Sequence, residues 1–168
     1  MHNNLVLTLP CYPELVLRTI KSNDLENLRN WKNTHREAFF HQEIISPEQQ
    51  QQWYQGYLQR PHDAMFIISY YDQPIGCIGF RKLEDRIDIY NVIMGDQQLS
   101  GKGLMRRSLH ALVSEAAHQF PGLPVTLKVL KGNPALEWYL KSGFTIESEC
   151  DTYLNLLFTA LKTKGNNS

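Results

Sequence analysis

The chain has 168 residues, 42% hydrophobic and 11% aromatic, which suffices for one compact domain with a real core and not for several large ones. Lys plus Arg and Asp plus Glu number 17 each, so there is no formal net charge and none of the basic excess that non-specific nucleic-acid binding needs. Cys11, Cys77 and Cys150 are odd in number, widely spaced and without a CxxC or Cys/His ligand pattern, so neither a disulfide framework nor a metal site is expected and reduced cytoplasmic thiols are.

The opening MHNNLVLTLPCYPE lacks the basic and apolar regions of a secretory signal, and no apolar run approaches the ~18 residues of a membrane span. A soluble cytoplasmic protein with no membrane partner is the expectation. Leu15–Ile20 (LVLRTI) has strand composition. Ser22 then offers an N-cap, Asp24 and Glu26 favour the helix dipole, and Leu25, Leu28 and Trp31 form a stripe, predicting a helix over 23–33. Ser46-Pro47-Glu48 opens a second helix with Trp53, Tyr54, Tyr57 and Leu58 as its apolar face.

Three strands follow: Ala64–Tyr71, then Ile75–Leu83 after a turn at Asp72-Gln73-Pro74, then Arg86–Met94 after a turn near Glu84-Asp85. Such short connections make antiparallel hairpins. Gly103–Phe120 is a helix with Leu104, Met105, Ser108, Leu109, Leu112 and Ala116 along its buried stripe. Val125–Leu130 is a strand, Pro134–Lys141 a helix stopped by Gly143, and Thr145–Glu149 and Tyr153–Leu161 are two last strands. The order β-α-α-β-β-β-α-β-α-β-β predicts a mixed α/β sheet with helices on both faces. Residues 1–161 form one domain, and 162–168 (KTKGNNS) read as a loose tail.

Chemistry concentrates between Met94 and the long helix, in Gly95-Asp96-Gln97-Gln98-Leu99-Ser100-Gly101-Lys102-Gly103. A glycine-containing loop that feeds a helix N-terminus presents unpaired N–H groups and positive dipole to an anion, and Lys102, Arg106 and Arg107 add charge beside it. The P-loop is excluded because Gly103, not Ser or Thr, follows Lys102; the dinucleotide fingerprint is excluded because Arg106 stands where it needs Gly. The plain alternative is a glycine-containing strand-to-helix turn.

Gln98-Leu99-Ser100-Gly101-Lys102-Gly103 matches QxxGxG, and Asn133 opens a short helix bearing Trp138-Tyr139 that ends at Gly143-Phe144. In both motifs and in element order the chain resembles the GNAT N-acetyltransferases, over about Leu17 to Leu161. The resemblance implies the GNAT fold, a mostly antiparallel sheet of about seven strands flanked by about four helices, and acetyl-CoA as co-substrate without a metal. It implies pantetheine pairing to the backbone of Asn91, Val92, Ile93 and Met94. The pyrophosphate would lie on the amides of Gln98, Leu99, Gly101, Lys102, Gly103 and Leu104, Asn133 would be a further cofactor contact, and Tyr139 the acid that protonates the departing thiolate. For Tyr139 the plain alternative is aromatic packing beneath the last strands.

Asp88 and Tyr90, sharing a strand face with Val92, are the candidate bases, with His41 and Glu43 as competitors. Trp31-Lys32-Asn33, then Arg36, Phe39 and Phe40, then Ser46-Pro47-Glu48 through Trp53, resembles the branch that acetylates nucleotide-linked amino sugars and also the ribosomal-protein N-terminal acetyltransferases. Trp31, Asn33, Arg36, Phe39 and Phe40 are the candidate acceptor contacts, although Trp31 also sits on the apolar stripe of its helix. Aromatic faces would stack on a sugar or base and Arg36 would pair with a diphosphate. The acceptor is thus a small-molecule or peptide amine, the amino sugar being favoured over the protein N-terminus; a non-catalytic acyl-CoA-binding module is the third reading. By analogy with the fold, Tyr153–Leu161 is the segment expected to pair between subunits of a homodimer.

Overall fold

The structure is a computed structural model and describes residues 4–160. Eight strands form one sheet in the order β1-β2-β3-β4-β5-β6-β8-β7. In chain order the elements are β1 (Val6–Leu9), β2 (Tyr12–Thr19), α1 (Leu25–Thr34), α2 (Pro47–Leu58), β3 (Asp63–Tyr70), β4 (Gln73–Lys82), β5 (Ile87–Met94), α3 (Leu104–Gln119), β6 (Val125–Leu130), α4 (Leu136–Lys141), β7 (Phe144–Glu149) and β8 (Tyr153–Phe158). All neighbours run antiparallel except β5 and β6, which are parallel because the α3 crossover joins them.

The extra strand relative to expectation is β1, whose alternate exposed and half-buried residues pair with β2 as an edge hairpin. Its alternation spans only four residues, and tertiary pairing, not propensity, makes it a strand. Between β3 and β4 the turn is one residue earlier than predicted: Tyr71 and Asp72 both take positive φ, 48° and 64°, as a two-residue I′ hairpin requires. Ser22 does not cap α1. Residues Ser22–Asp24 form a single tight turn, and the buried Asp24 carboxylate accepts the Lys21 amide at 2.7 Å while Arg18 grips it in a bidentate pair at 2.8 Å. Ser46 does cap α2, accepting the Gln49 amide at 3.2 Å.

The sheet buries apolar side chains on both faces. One core gathers Leu15, Phe66, Ile68, Phe80, Leu109, Leu112 and Leu156 under α3, and the other gathers Ile20, Leu28, Tyr57, Met65, Ile67, Cys77 and Ile93 under α1 and α2. Residues alternating along β3 serve the two in turn, as strand geometry demands. Strand β8 is hydrogen-bonded to β6 on one side and β7 on the other, so over Tyr153–Phe158 it has no edge left for a second subunit; the free edges of the sheet are β1 and β7. Leu161 and the predicted tail lie outside the described residues. Among the described residues no helix is long and apolar enough to cross a membrane.

Candidate functional site

Two cavities flank β5, one on each face of the sheet. Pairing of β5 with β6 is confined to Ile87–Ile89 against Val125–Leu127; beyond that the strands part. In the gap, Val92 and Met94 of β5, Leu99 to Gly101 and Gly103 to Met105 around the start of α3, and Ala135, Trp138 and Tyr139 line a cavity of about 400 Å³. Gly101 and Gly103 adopt left-handed φ of 81° and 78°, a conformation that disfavours any side chain. These turns leave the amides from Gly101 to Arg106 without hydrogen-bond partners among the described residues, at the positive end of a 16-residue helix. Arg106 lines the same cavity. Arg107 instead braces the loop, donating to the Lys102 carbonyl at 3.1 Å with its guanidinium 4.0 Å above the Tyr12 ring. Such a cradle fits a pyrophosphate.

Not every amide predicted for that role is free. The Gln98 amide donates to Asp96 Oδ1 and the Leu99 amide to the Asp96 carbonyl, each at 3.1 Å, so Asp96 holds the turn ahead of the glycines. Asn133 uses Oδ1 to accept the Ala135 amide at 2.9 Å and so opens the turn into α4, outside the cavity wall. Tyr139 joins both readings of it: its ring packs edge-on against Trp138 and Phe144, at 5.1 and 6.0 Å, and the residue also lines the cavity. Its hydroxyl has no partner among the described residues, and burial pushes its pKa above the ordinary tyrosine value, so the phenol keeps its proton.

The second cavity, about 350 Å³, lies on the α1/α2 face and is lined by Leu28, Lys32, His41, Ile45, Gln49, Gln50, Trp53, Met65, Cys77, Asn91 and Ile93. A bulge in β5 makes it. Between the Cys77–Ile93 and Gly79–Tyr90 pairs the register slips, and Asn91 takes a φ of 50°. The alternation of side chains therefore shifts: Val92, expected beside Asp88 and Tyr90, turns to the opposite face, while Asn91 and Ile93 look onto this cavity. Lys32 Nζ donates to Asn91 Oδ1 at 2.6 Å and lies 4.5 Å from the Phe39 ring centre. Desolvation lowers the Lys32 pKa, with the charge of Arg81 adding to it and Cys77 opposing.

The remaining predicted residues fall elsewhere. Asp88 is paired with Arg81 at 2.9 Å, and the Tyr90 hydroxyl donates to Asp63, itself held by Arg60 at 2.8 Å; neither lines either of these two cavities. Asn33 spends its amide on Ile45, accepting the Ile45 N–H at 2.8 Å and donating to its carbonyl at 3.0 Å, which fixes the loop that carries His41. Trp31 covers Gly95, where a Cβ would come within 2.3 Å of the indole. Arg36 donates to the Asn33 carbonyl at 3.3 Å on the surface, Phe40 is exposed and stacks edge-on with Tyr153, and Glu43 is exposed. Lys32 is the polar residue that the sequence reading passed over, although it stands four residues after the buried Leu28 and so on the same face of α1. Gln50, seven residues before the buried Tyr57, carried the same signal in α2, whereas Trp53 is one of the aromatic faces expected to stack on a sugar or base.

A family model described as "Acetyltransferase (GNAT) domain" matches residues 14–145. No curated protein sequence matches the chain. Among solved structures it is similar to RimL, a ribosomal L7/L12 alpha-N-protein acetyltransferase in its apo form, with 19% identity, a TM-score of 0.75, and coverage of 92% of this chain and 93% of that one. It is similar to apo FdhC, described as a nucleotide-linked sugar GNAT, with 24% identity, a TM-score of 0.74, and coverage of 99% and 95%. A spermidine N-acetyltransferase from Vibrio cholerae in complex with CoA and spermine has 19% identity, a TM-score of 0.69, and coverage of 86% and 96%. At these identities the structural likeness speaks for the fold, and the three relatives act on three different kinds of amine.

Proposed function

Because the chain belongs to the GNAT acetyltransferase family and is an acetyl-CoA-dependent N-acetyltransferase, we propose that its acceptor is the primary amine of a nucleotide-linked amino sugar. The observation that carries this reading is the wall of the helix-side cavity. It offers Lys32, His41, Gln49, Gln50 and Asn91 as polar groups and Trp53 as an aromatic face, and no Asp or Glu lines it. A polyamine or a positively charged peptide terminus would enter such a wall without a counter-charge. A sugar would find amides for its hydroxyls and an indole for its apolar face.

In this reading β5 is the wall shared by donor and acceptor. The donor's pyrophosphate lies on the free amides from Gly101 to Leu104, with Arg106 and Lys102 beside it and its pantetheine arm along Asn91 to Met94. Acetyl-CoA supplies a thioester; the amine forms the new C–N bond as the C–S bond breaks. Tyr139 gives its proton to the leaving sulfur, which suits a phenol that burial keeps protonated. His41 lies on the cavity wall and imidazole is the side-chain type best suited to take the amine's proton near neutral pH, so it is preferred here to Asp88 and Tyr90.

The test is initial-rate acetylation of three acceptors by the full chain: a nucleoside-diphosphate amino sugar, a serine-terminated peptide and spermidine. A kcat/KM at least 100-fold higher for the sugar is expected. A preference for the peptide or for spermidine overturns the acceptor assignment, and no turnover with any amine despite tight CoA binding favours a binding module.

A further inference from the structure

Lys32 is an ammonium half-buried in an acceptor cavity without a counter-ion. Its Nζ has one polar partner, the neutral Asn91 Oδ1 at 2.6 Å, and it makes no ion pair among the described residues. An ammonium has three donors, so two remain to be used. The cavity wall it shares includes Leu28, Met65, Ile93, Gln49 and Gln50, with His41 as the other cationic type of side chain, and the Phe39 ring centre lies 4.5 Å from Nζ. Two elements of different origin hold it there. Lys32 comes from the inner face of α1 and Asn91 from the bulge of β5, whose left-handed backbone turns the amide toward it.

A desolvated charge is costly unless an opposite charge or a full set of hydrogen bonds compensates it. Among the described residues nothing supplies that opposite charge, so an anionic ligand would complete the site. We infer that Lys32 anchors an oxyanion of the acceptor's diphosphate, with Asn91 as the residue that orients the ammonium. The inference rests on the nucleotide-sugar reading for the choice of diphosphate. It goes beyond that reading by naming a specificity-determining residue that Arg36 was expected to be: Arg36 is exposed and lines neither cavity, whereas Lys32 lines the one in question. The lowered pKa of the amine is what an uncompensated ammonium shows, and a bound oxyanion reverses it.

The experiment is calorimetric titration of inorganic pyrophosphate into the full chain saturated with CoA, so that the glycine loop is already filled. Wild type, Lys32→Gln, Lys32→Met and Lys32→Arg are compared, each first titrated with CoA to show that fold and loop are intact. Expected is pyrophosphate binding in wild type, a loss of at least tenfold in Lys32→Gln and Lys32→Met, and retention within about threefold in Lys32→Arg, which keeps the charge. Equal binding in wild type and the two neutral variants overturns the inference, as does the absence of binding to CoA-saturated wild type. Because no turnover is read, the two ideas separate. Pyrophosphate held through Lys32 in an enzyme that acetylates only peptides overturns the sugar and its diphosphate and leaves Lys32 as an oxyanion site alone, whereas sugar turnover with a KM unchanged by Lys32→Gln sinks the anchor alone.

Discussion

Tyr139 combines aromatic packing with the proton donation proposed for it. The ring contacts Trp138 and Phe144, which fixes it under the sheet, and the same enclosure that strips water from the phenol raises its pKa and leaves the hydroxyl free to donate. Removing only the oxygen separates the two roles. Tyr139→Phe should leave CoA affinity unchanged and shift the unfolding free energy by less than about 1 kcal/mol, since no hydrogen bond of the hydroxyl is lost. Its kcat should fall by roughly 100-fold or more, the usual worth of a positioned general acid. Urea unfolding and steady-state rates at saturating acceptor check both halves; an unchanged kcat would return Tyr139 to the role of a core aromatic. Its place beside the cavity was legible in the sequence, because it lies in a motif of fixed order on a short helix. Its freedom from any hydrogen-bond partner was not, since that depends on which neighbours the fold brings near.

At the scale of elements, the bulge in β5 decides which side chains face which cavity. Strict alternation from Ile87 to Met94 would put Asp88, Tyr90 and Val92 on one face. The extra residue at Asn91 moves Val92 to the cavity beside α3 and brings Asn91 and Ile93 to the cavity under α1 and α2, while the expected base positions make ion-pair and hydrogen-bond contacts with Arg81 and Asp63. Period-two reasoning cannot see a bulge; the faint trace is that Asn, among the residues of this strand, best tolerates left-handed backbone. The glycines 101 and 103 were plainer, because a loop entering a helix needs positive φ at its tightest points and no other residue supplies it so readily. Asn91→Gly should therefore keep the fold within about 1 kcal/mol, while Asn91→Val, β-branched at a φ of 50°, should cost about 1–2 kcal/mol. Both variants lose the partner of Lys32, so acceptor KM should rise in each. If Asn91→Val is as stable as wild type, as read by urea midpoints, the left-handed bulge is not required by the strand.

For the whole molecule, the mixed sheet with helices on both faces follows from element order and hairpin spacing, which is why the fold class was legible, while the strand order, the eighth strand and the placement of His41 and Lys32 depend on tertiary pairing across many residues. The same burial that makes two cores sets the behaviour at alkaline pH. Burial raises the Cys77 thiol from an ordinary 9.0 to about 12, partly opposed by the charge of Lys32, and raises the Tyr57 phenol from 10.0 to about 12, partly opposed by the Met65 amide that donates to it. Tyr90 and Tyr139 are raised by the same main cause. In each case the folded value exceeds the unfolded one, so the stabilisation is complete below the unfolded value and is lost as pH climbs toward the folded value. Lys32 acts oppositely: its folded value is depressed, so it returns some stability as pH rises toward 10.5. The four acids outnumber it. The unfolding free energy should hold through neutral pH, begin to fall near 9 as the thiol ionises in the unfolded chain, and fall faster above 10 with the tyrosines, at about 1.4 kcal/mol per pH step for each group in its range. Cys77→Ser tests the assignment, because the serine hydroxyl does not ionise in this range. The variant should lose the first step and begin its decline near 10, whatever its stability at pH 7, whereas an onset still near 9 would mean that another group leads the alkaline loss.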